Sequence, residues 1–211
     1  MRMPSPFLHP YPDTPMDTIV REEGVTGLLE ELALPADHAG TALDLLGATE
    51  SRYVRDLKMN LKAVLKSAHI DAKGSALLAL SIAANQKNQA LIAYFRKLAA
   101  DNGATADELA EAVACASLLA CNNVTYRFRH FTGKPKYEEL RMGLRMNIMM
   151  SPATGKEFFE LMSLAVSAVN GCEQCVKSHE ASLIALGTPE ERIWDAIRLA
   201  GVVVSLDRVV Q

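Results

Sequence analysis

The chain has 211 residues, a formal net charge of −3 and a composition that is 49% hydrophobic but only 6% aromatic. This length suffices for one domain with a substantial core, and the net charge gives no electrostatic basis for binding nucleic acid. No run of 18 apolar residues predicts a membrane span, and the N-terminus lacks the apolar region of a secretory signal. Because four cysteines in a chain of this length do not make a disulfide scaffold, we expect a cytoplasmic protein.

The hydrophobic pattern predicts helices almost throughout. Residues 1–40 are predicted to form an N-terminal extension, disordered over the proline-rich residues 1–15 and helical over 17–33. Residues 41–211 are predicted to form the domain itself. Its predicted helices span residues 41–68, 73–85, 88–101, 106–121, 152–169, 172–186 and 189–210. Since no segment alternates with the period of a strand, the predicted fold is all-α.

The most informative motif is C-x-x-C-x-x-x-H, formed by Cys172, Cys175 and His179. On a helix these spacings place both thiols and the imidazole on one face. Asn170-Gly171 interrupts the preceding helix, so Cys172 is predicted at the start of the next one. Backbone N–H groups and the positive end of the dipole favour a thiolate there. The pattern suits a thiol that cycles to a disulfide beside a base.

Two other interpretations of the motif stay open on the residues alone. In the first, the cysteines fill a core as small hydrophobic residues, although Glu173, Gln174 and Lys177 make this helix face polar. Alternatively, Cys172, Cys175, His179 and Glu160 form a set of four possible zinc ligands, but no second cysteine pair with this spacing accompanies them. We expect no bound metal. Cys115 and Cys121 lie in an Ala- and Leu-rich segment and are predicted to be core residues.

A degenerate internal repeat with a shift of 84 residues relates two halves of the domain, about 70–130 and 152–210. Gly103 matches Gly187, and the apolar stripes of the following helices align. The same shift places four residues of the first copy opposite Glu160, Cys172, Cys175 and His179. These four are Ala76, Asn88, Leu91 and Phe95. Only the second copy therefore carries the reactive groups, and the helical scaffold does not need them to fold.

Residues outside the motif point to a family. The chain resembles the AhpD family of alkyl hydroperoxide reductases, within the carboxymuconolactone decarboxylase-like superfamily, over roughly residues 41–210. The segments that carry the resemblance, besides C-x-x-C, are Asn122 to Arg127, Gly143 to Asn147, Phe159 to Leu161 and Ala165 to Cys172.

The resemblance implies an all-α fold, a homotrimer and an antioxidant enzyme. It implies a lipoyl-dependent peroxidase and disulfide reductase that regenerates an AhpC-type peroxiredoxin and binds no cofactor tightly. Electrons would come from dihydrolipoamide on a lipoylated acyltransferase, which a dihydrolipoamide dehydrogenase reduces with NADH.

The resemblance also implies residue roles. Cys175 matches the attacking thiolate that becomes a sulfenic acid, and Cys172 matches the proton donor that closes the disulfide. Glu160 and His179 match a proton relay, which agrees with the place of His179 one helical turn after Cys175. Some relatives carry His immediately before the second cysteine, where this chain has Gln174. Two alternative functions are a redox-sensing or zinc-binding dithiol module and a carboxymuconolactone decarboxylase, whose chemistry needs no dithiol.

Overall fold

The computed structural model of the protein describes residues 23–38, 40–49 and 51–211. Within these ranges the chain forms ten α-helices and one short 3₁₀ helix and no β-strand, so the predicted all-α class is confirmed. The helices are α1 Glu23–Glu31, α2 Thr41–Ala48, α3 Arg52–Leu65, α4 Ala72–Gln86, α5 Gln89–Asp101, α6 Ala106–Thr132, α7 Pro135–Glu139, the 3₁₀ helix Asn147–Met149, α8 Lys156–Val169, α9 Glu173–Ala185 and α10 Glu190–Asp207. The predicted disorder of residues 1–15 lies outside the described residues.

Helix α4 lies at the centre of the packing. Every residue from Gly74 to Ala83 is buried, and α4 contacts α5, α6, α8 and α10. A helix that is covered on all sides needs no polar face, which explains why Ala and Leu dominate its sequence. The surrounding helices bury their apolar stripes against it in one continuous hydrophobic cluster.

The same cluster includes α1. Val25, Leu28 and Leu29 are almost completely buried, and α1 packs against α3. The packed core therefore extends N-terminal to residue 41, where the sequence analysis placed the start of the domain.

The single helix predicted over residues 41–68 is wrong, because the chain forms two helices there. Helix α2 ends at Ala48, and α3 begins at Arg52. The Thr49 hydroxyl donates to the carbonyl oxygens of Leu45 and Leu46. In a continuing helix, backbone N–H groups of the next turn would donate to these two oxygens instead. Such local side-chain bonds compete with helix propagation, and an apolar periodicity that continues across the break does not reveal them.

Helix α6 is longer than predicted. It continues past Cys121 to Thr132 and ends at Gly133, whose φ of 56° is the left-handed conformation typical of helix C-termini. Asn122 and Asn123 interrupt its apolar pattern, yet both are buried within the helix. Their polar side chains belong to the site described below.

The helix starts recur at the spacing of the predicted repeat. Three helices of each half begin 84 residues apart, as the pairs Ala72 and Lys156, Gln89 and Glu173, and Ala106 and Glu190. The caps recur as well, because Asn88 and Cys172 are both N-caps and Lys87 and Gly171 both have positive φ. None of the helices in the described ranges combines the length and apolarity needed to cross a membrane.

We predict that Leu28→Ala lowers the free energy of unfolding by about 2–5 kcal/mol, because it removes a buried side chain from the core. Leu45→Ala is the matched control, since Leu45 is 65% exposed, and should cost less than about 1 kcal/mol. Urea denaturation followed by circular dichroism measures both values. Equal values for the two variants would show that α1 does not share the core.

Candidate active site

A two-residue turn joins α8 to the helix that carries the cysteines. The N–H of Gly171 donates to the carbonyl of Ala168 at 3.1 Å, and the N–H of Cys172 donates to that of Ser167 at 3.0 Å. This pair of bonds is a Schellman motif, which needs a left-handed residue at the position of Gly171, where φ is 67°. Cys172 therefore both completes the C-terminal cap of α8 and serves as the N-cap of α9.

Amide side chains and one guanidinium hold this turn. Arg127 Nη1 donates to the carbonyl of Asn170 at 2.8 Å, and Asn85 Nδ2 donates to Asn170 Oδ1 at 2.9 Å. Asn170 Nδ2 in turn donates to Asn123 Oδ1 at 2.9 Å, and Asn123 Nδ2 donates to Ser167 Oγ at 3.0 Å. Side-chain amides that are hydrogen-bonded to one another in this way restrict a segment to one arrangement. The turn that precedes Cys172 is thereby tied to both α4 and α6.

Cys172 and Cys175 are joined by a disulfide, with 5.3 Å between their Cα atoms. Cys172 is fully buried, whereas Cys175 lies in the first turn of α9 and lines a cavity. Unpaired N–H groups at this helix end favour negative charge on a sulfur there once the bond is reduced. A molecule in the cavity therefore meets the sulfur of Cys175 and not that of Cys172.

His179 and Glu160 form a hydrogen-bonded pair beside the cysteines. His179 Nδ1 lies 2.7 Å from Glu160 Oε2, and the two side chains are only 11% and 13% exposed. A carboxylate can only accept, so Nδ1 carries the proton, and in the neutral ring Nε2 is then the acceptor nitrogen. Glu160 comes from α8 and His179 from α9, so the packing of these two helices assembles the pair.

The cavity beside Cys175 has a volume of about 320 Å³. Of the predicted site residues, Cys175 and His179 line it, while Cys172 and Glu160 lie behind them. Several lining residues were not predicted as site residues, because they come from α6 and from the segment around the 3₁₀ helix and not from the cysteine motif. The complete lining is Leu119, Asn122, Tyr126, Met146, Met149, Gln174, Cys175, Ser178 and His179.

Charged groups surround the exposed start of α9. The Lys177 ammonium hydrogen bonds to the Glu173 carboxylate and, with the nearby His130, holds the pKa of Glu173 below its usual value. His130 Nε2 lies 3.5 Å from Glu173, and its side chain is largely accessible to solvent. Among the residues that the structure describes, no group of three or more His, Cys, Asp or Glu side chains is placed to hold a metal ion.

The other two cysteines differ in their surroundings. Cys115 is buried in the core as predicted, and burial raises the pKa of its thiol to about 12. The prediction for Cys121 is wrong, because this residue is exposed on α6. It follows Cys115 by six residues, which is nearly 120° away from a whole number of turns, so the two thiols point in different directions.

Comparisons with known proteins show the family to which this chain belongs. Residues 135–211 match the model of the Carboxymuconolactone decarboxylase family. An alkyl hydroperoxide reductase AhpD from Anaeromyxobacter dehalogenans is 43% identical over 164 residues, which are 77% of this chain and 87% of the relative. The chain belongs to the AhpD family.

Other AhpD proteins match over similar lengths. The AhpD of Corynebacterium kroppenstedtii is 35% identical over 171 residues, which cover 81% of this chain and 97% of the relative. The AhpD of Mycobacterium ulcerans is 37% identical over 162 residues, which cover 77% of this chain and 90% of the relative. The resemblance to AhpD that the sequence motifs predict is thereby confirmed.

We predict that the thiols of the reduced protein fall into two classes at pH 8. Iodoacetamide should label Cys121 and Cys175 within a short pulse and leave Cys115 unmodified until the protein is unfolded. With a pKa of about 12, on the order of one Cys115 thiol in 10⁴ is ionised at this pH, and the thiolate is the reacting form. Peptide mass spectrometry after the pulse measures each site. Labelling of Cys115 as fast as Cys121 would contradict its burial.

Proposed function

We propose that this protein is an antioxidant thiol peroxidase and disulfide reductase, which reduces organic hydroperoxides and regenerates an AhpC-type peroxiredoxin. The observation that carries the proposal is the position of Cys175. It faces a cavity together with His179, while its disulfide partner Cys172 is buried behind it. This arrangement presents Cys175 to a substrate and leaves Cys172 to form the disulfide afterwards.

The oxidative half of the cycle begins with reduced cysteines. His179 Nε2 takes the proton of the Cys175 thiol, and Glu160 stabilises the imidazolium through Nδ1. The thiolate attacks the terminal oxygen of the hydroperoxide, so an S–O bond forms and the O–O bond breaks. The departing alkoxide takes the proton back from His179 and leaves as an alcohol. Cys175 has then lost two electrons and is a sulfenic acid.

Cys172 completes the oxidation. Its thiol sulfur attacks the sulfenic sulfur of Cys175, and the hydroxyl leaves with the thiol proton as water. The product is the disulfide of the described structure. Closing this bond protects Cys175 from further oxidation, because a sulfenic acid would otherwise react with a second peroxide.

A dithiol returns the enzyme to its reduced form. One of its thiolates attacks Cys175, the sulfur that faces the cavity, and Cys172 leaves; the second thiol then resolves the mixed disulfide and departs as a cyclic disulfide. We propose that dihydrolipoamide on a lipoylated acyltransferase is this reductant, regenerated by a dihydrolipoamide dehydrogenase. The reduced pair can pass its electrons to a peroxiredoxin disulfide by the same exchange. Because the cytoplasm is reducing and would return this cysteine pair to its thiol form, we propose a cytoplasmic location.

We also propose a homotrimer. An apolar face of α6 supports self-association, because Val124, Phe128 and Phe131 follow one another at spacings of four and three residues and are all exposed. Leu140 and Leu144 in the following segment are about half exposed as well. Exposed apolar side chains at helical spacing are typical of an interface between subunits.

The function is tested by NADH oxidation in the presence of cumene hydroperoxide, a lipoylated acyltransferase and dihydrolipoamide dehydrogenase, with and without an AhpC-type peroxiredoxin. We predict turnover by the wild-type protein and none by Cys175→Ser or Cys172→Ser. In Cys172→Ser the sulfenic acid of Cys175 should persist, because the resolving thiol is missing, and dimedone should trap it for mass spectrometry.

Cys121→Ser is the control for this experiment, since its exposed thiol lies outside the cavity, and it should retain full turnover. Trapping at Cys172 in a Cys175→Ser protein, with none in Cys172→Ser, would reverse the assigned roles. Absence of peroxide-dependent oxidation in the wild type would rule out the peroxidase.

The Glu160–His179 pair gives a separate prediction. Glu160→Gln and His179→Gln should each lower turnover by roughly 10²–10⁴, the range typical of lost general acid–base catalysis. Alkylation of Cys175 should also require a higher pH, because its thiolate loses a supporting group. His130→Gln is the matched control, as it removes an exposed imidazole outside the pair. Normal turnover and an unchanged alkylation profile in both site variants would remove the relay from the mechanism.

A further inference from the structure

The cavity beside Cys175 is lined by two kinds of residue. Leu119, Tyr126, Met146 and Met149 give it a largely apolar wall. Asn122 and Gln174 line it as well, and their carboxamide oxygens are buried and have no hydrogen-bond donor among the described residues. A buried acceptor without a donor is destabilising, so a cavity with two of them is suited to a ligand that donates a hydrogen bond and also carries an apolar group.

Asn122 is the more informative of the two residues. It lies within α6 and is only 5% exposed, and its Nδ2 donates to Met146 Sδ at 3.2 Å. A thioether sulfur can only accept, so this contact turns the nitrogen toward Met146 and leaves Oδ1 without a donor. The neighbouring Asn123 differs, because its carboxamide nitrogen donates to Ser167 of α8 and its oxygen accepts from Asn170. Packing explains Asn123, but it does not explain a polar residue at position 122.

Asn122 lies outside the segment that the disulfide closes. Gln174 lies between Cys172 and Cys175, so it belongs to that segment. Asn122 belongs to a different helix, α6, and the disulfide does not include that helix. Breaking the disulfide therefore removes no bond from the helix that carries Asn122.

We propose that Asn122 is a substrate-binding residue, whose Oδ1 accepts a hydrogen bond from the terminal O–H of an organic hydroperoxide. This inference rests on the proposed peroxidase function and deepens it. The bond places the terminal oxygen next to Cys175, while the apolar wall holds the organic group. During attack the O–O bond breaks, the hydroperoxide proton stays on the oxygen that becomes the sulfenic acid, and the alkoxide takes its proton from His179. Asn122 thus orients the substrate without gaining or losing a proton.

The test compares two electrophiles that oxidise the same cysteine pair. Cumene hydroperoxide has the O–H that Asn122 would bind, whereas methyl methanethiosulfonate has none; both reactions end in the Cys172–Cys175 disulfide. Full-length proteins with Cys121→Ser, which removes the exposed thiol, are reduced, freed of reductant and mixed with each reagent at pH 7. Quenched-flow mass spectrometry then gives the second-order rate constant of disulfide formation.

We expect Asn122→Leu to react about tenfold more slowly with cumene hydroperoxide, the effect of one lost hydrogen bond, and within about twofold of the parent with methyl methanethiosulfonate. Asn122→Ala should show the same selective loss without the larger side chain, which keeps the test valid if the leucine variant folds poorly. Thr125→Val is the matched control, because it removes a polar group from the same helix outside the cavity, and both of its rates should stay unchanged.

An unchanged rate with the hydroperoxide, or an equal loss with both reagents, would overturn the role of Asn122. In the second case the side chain would act on the thiol and not on the substrate. A parent protein that reacts with cumene hydroperoxide no faster than an ordinary exposed thiol would instead refute the proposed function, and the inference with it.

Discussion

The geometry of the redox pair depends on the turn at Asn170-Gly171. Because Cys172 caps the end of α8 and begins α9, no flexible loop separates the helix of Glu160 from the helix of Cys175 and His179. The left-handed conformation of Gly171 makes this short connection possible. Hydrogen bonds from Arg127 and Asn85 fix the turn from outside. The turn therefore fixes how the helix that carries Glu160 lies against the helix that carries Cys175 and His179.

This rigidity gives the two sulfurs different roles. Cys172 lies at the junction of the helices and is sealed from solvent, whereas Cys175 comes one helical turn later and reaches the cavity. Access, and not only thiolate stability, then decides which sulfur meets an incoming reagent. Cys115 shows the opposite extreme, since burial raises the pKa of its thiol to about 12.

The sequence predicts those parts of the site that are local along the chain. Cys172, Cys175 and His179 share one helix, so their spacing alone brings them together, and the Asn-Gly pair marks where that helix begins. The lining of the cavity is not local, because Asn122 and Tyr126 come from α6 and Met149 from the 3₁₀ helix. Only the tertiary packing of α6 against α8 and α9 brings them near Cys175.

The errors in the sequence analysis have the same origin. Periodicity continues across Thr49, whose hydroxyl ends α2, and Ala and Leu surround Cys121, which nonetheless faces solvent. Asn122 and Asn123 follow the predicted helix end at residue 121, yet both are buried within α6. In each case a contact that sequence spacing does not encode decides the outcome. The pair of adjacent asparagines in an otherwise apolar segment was the one sequence signal that α6 contributes to the site.

The repeat also implies that the two halves of the chain contribute differently, the first to stability and the second to the site. In the first half, Leu91 and Phe95 fill with hydrocarbon the positions that Cys175 and His179 occupy in the second, and both are fully buried. A desolvated carboxylate and imidazole contribute less to stability than hydrocarbon of the same volume. One copy therefore contributes mainly to stability, which offsets the cost of burying polar groups in the other. A chain built this way carries a single two-electron centre in spite of its duplicated architecture.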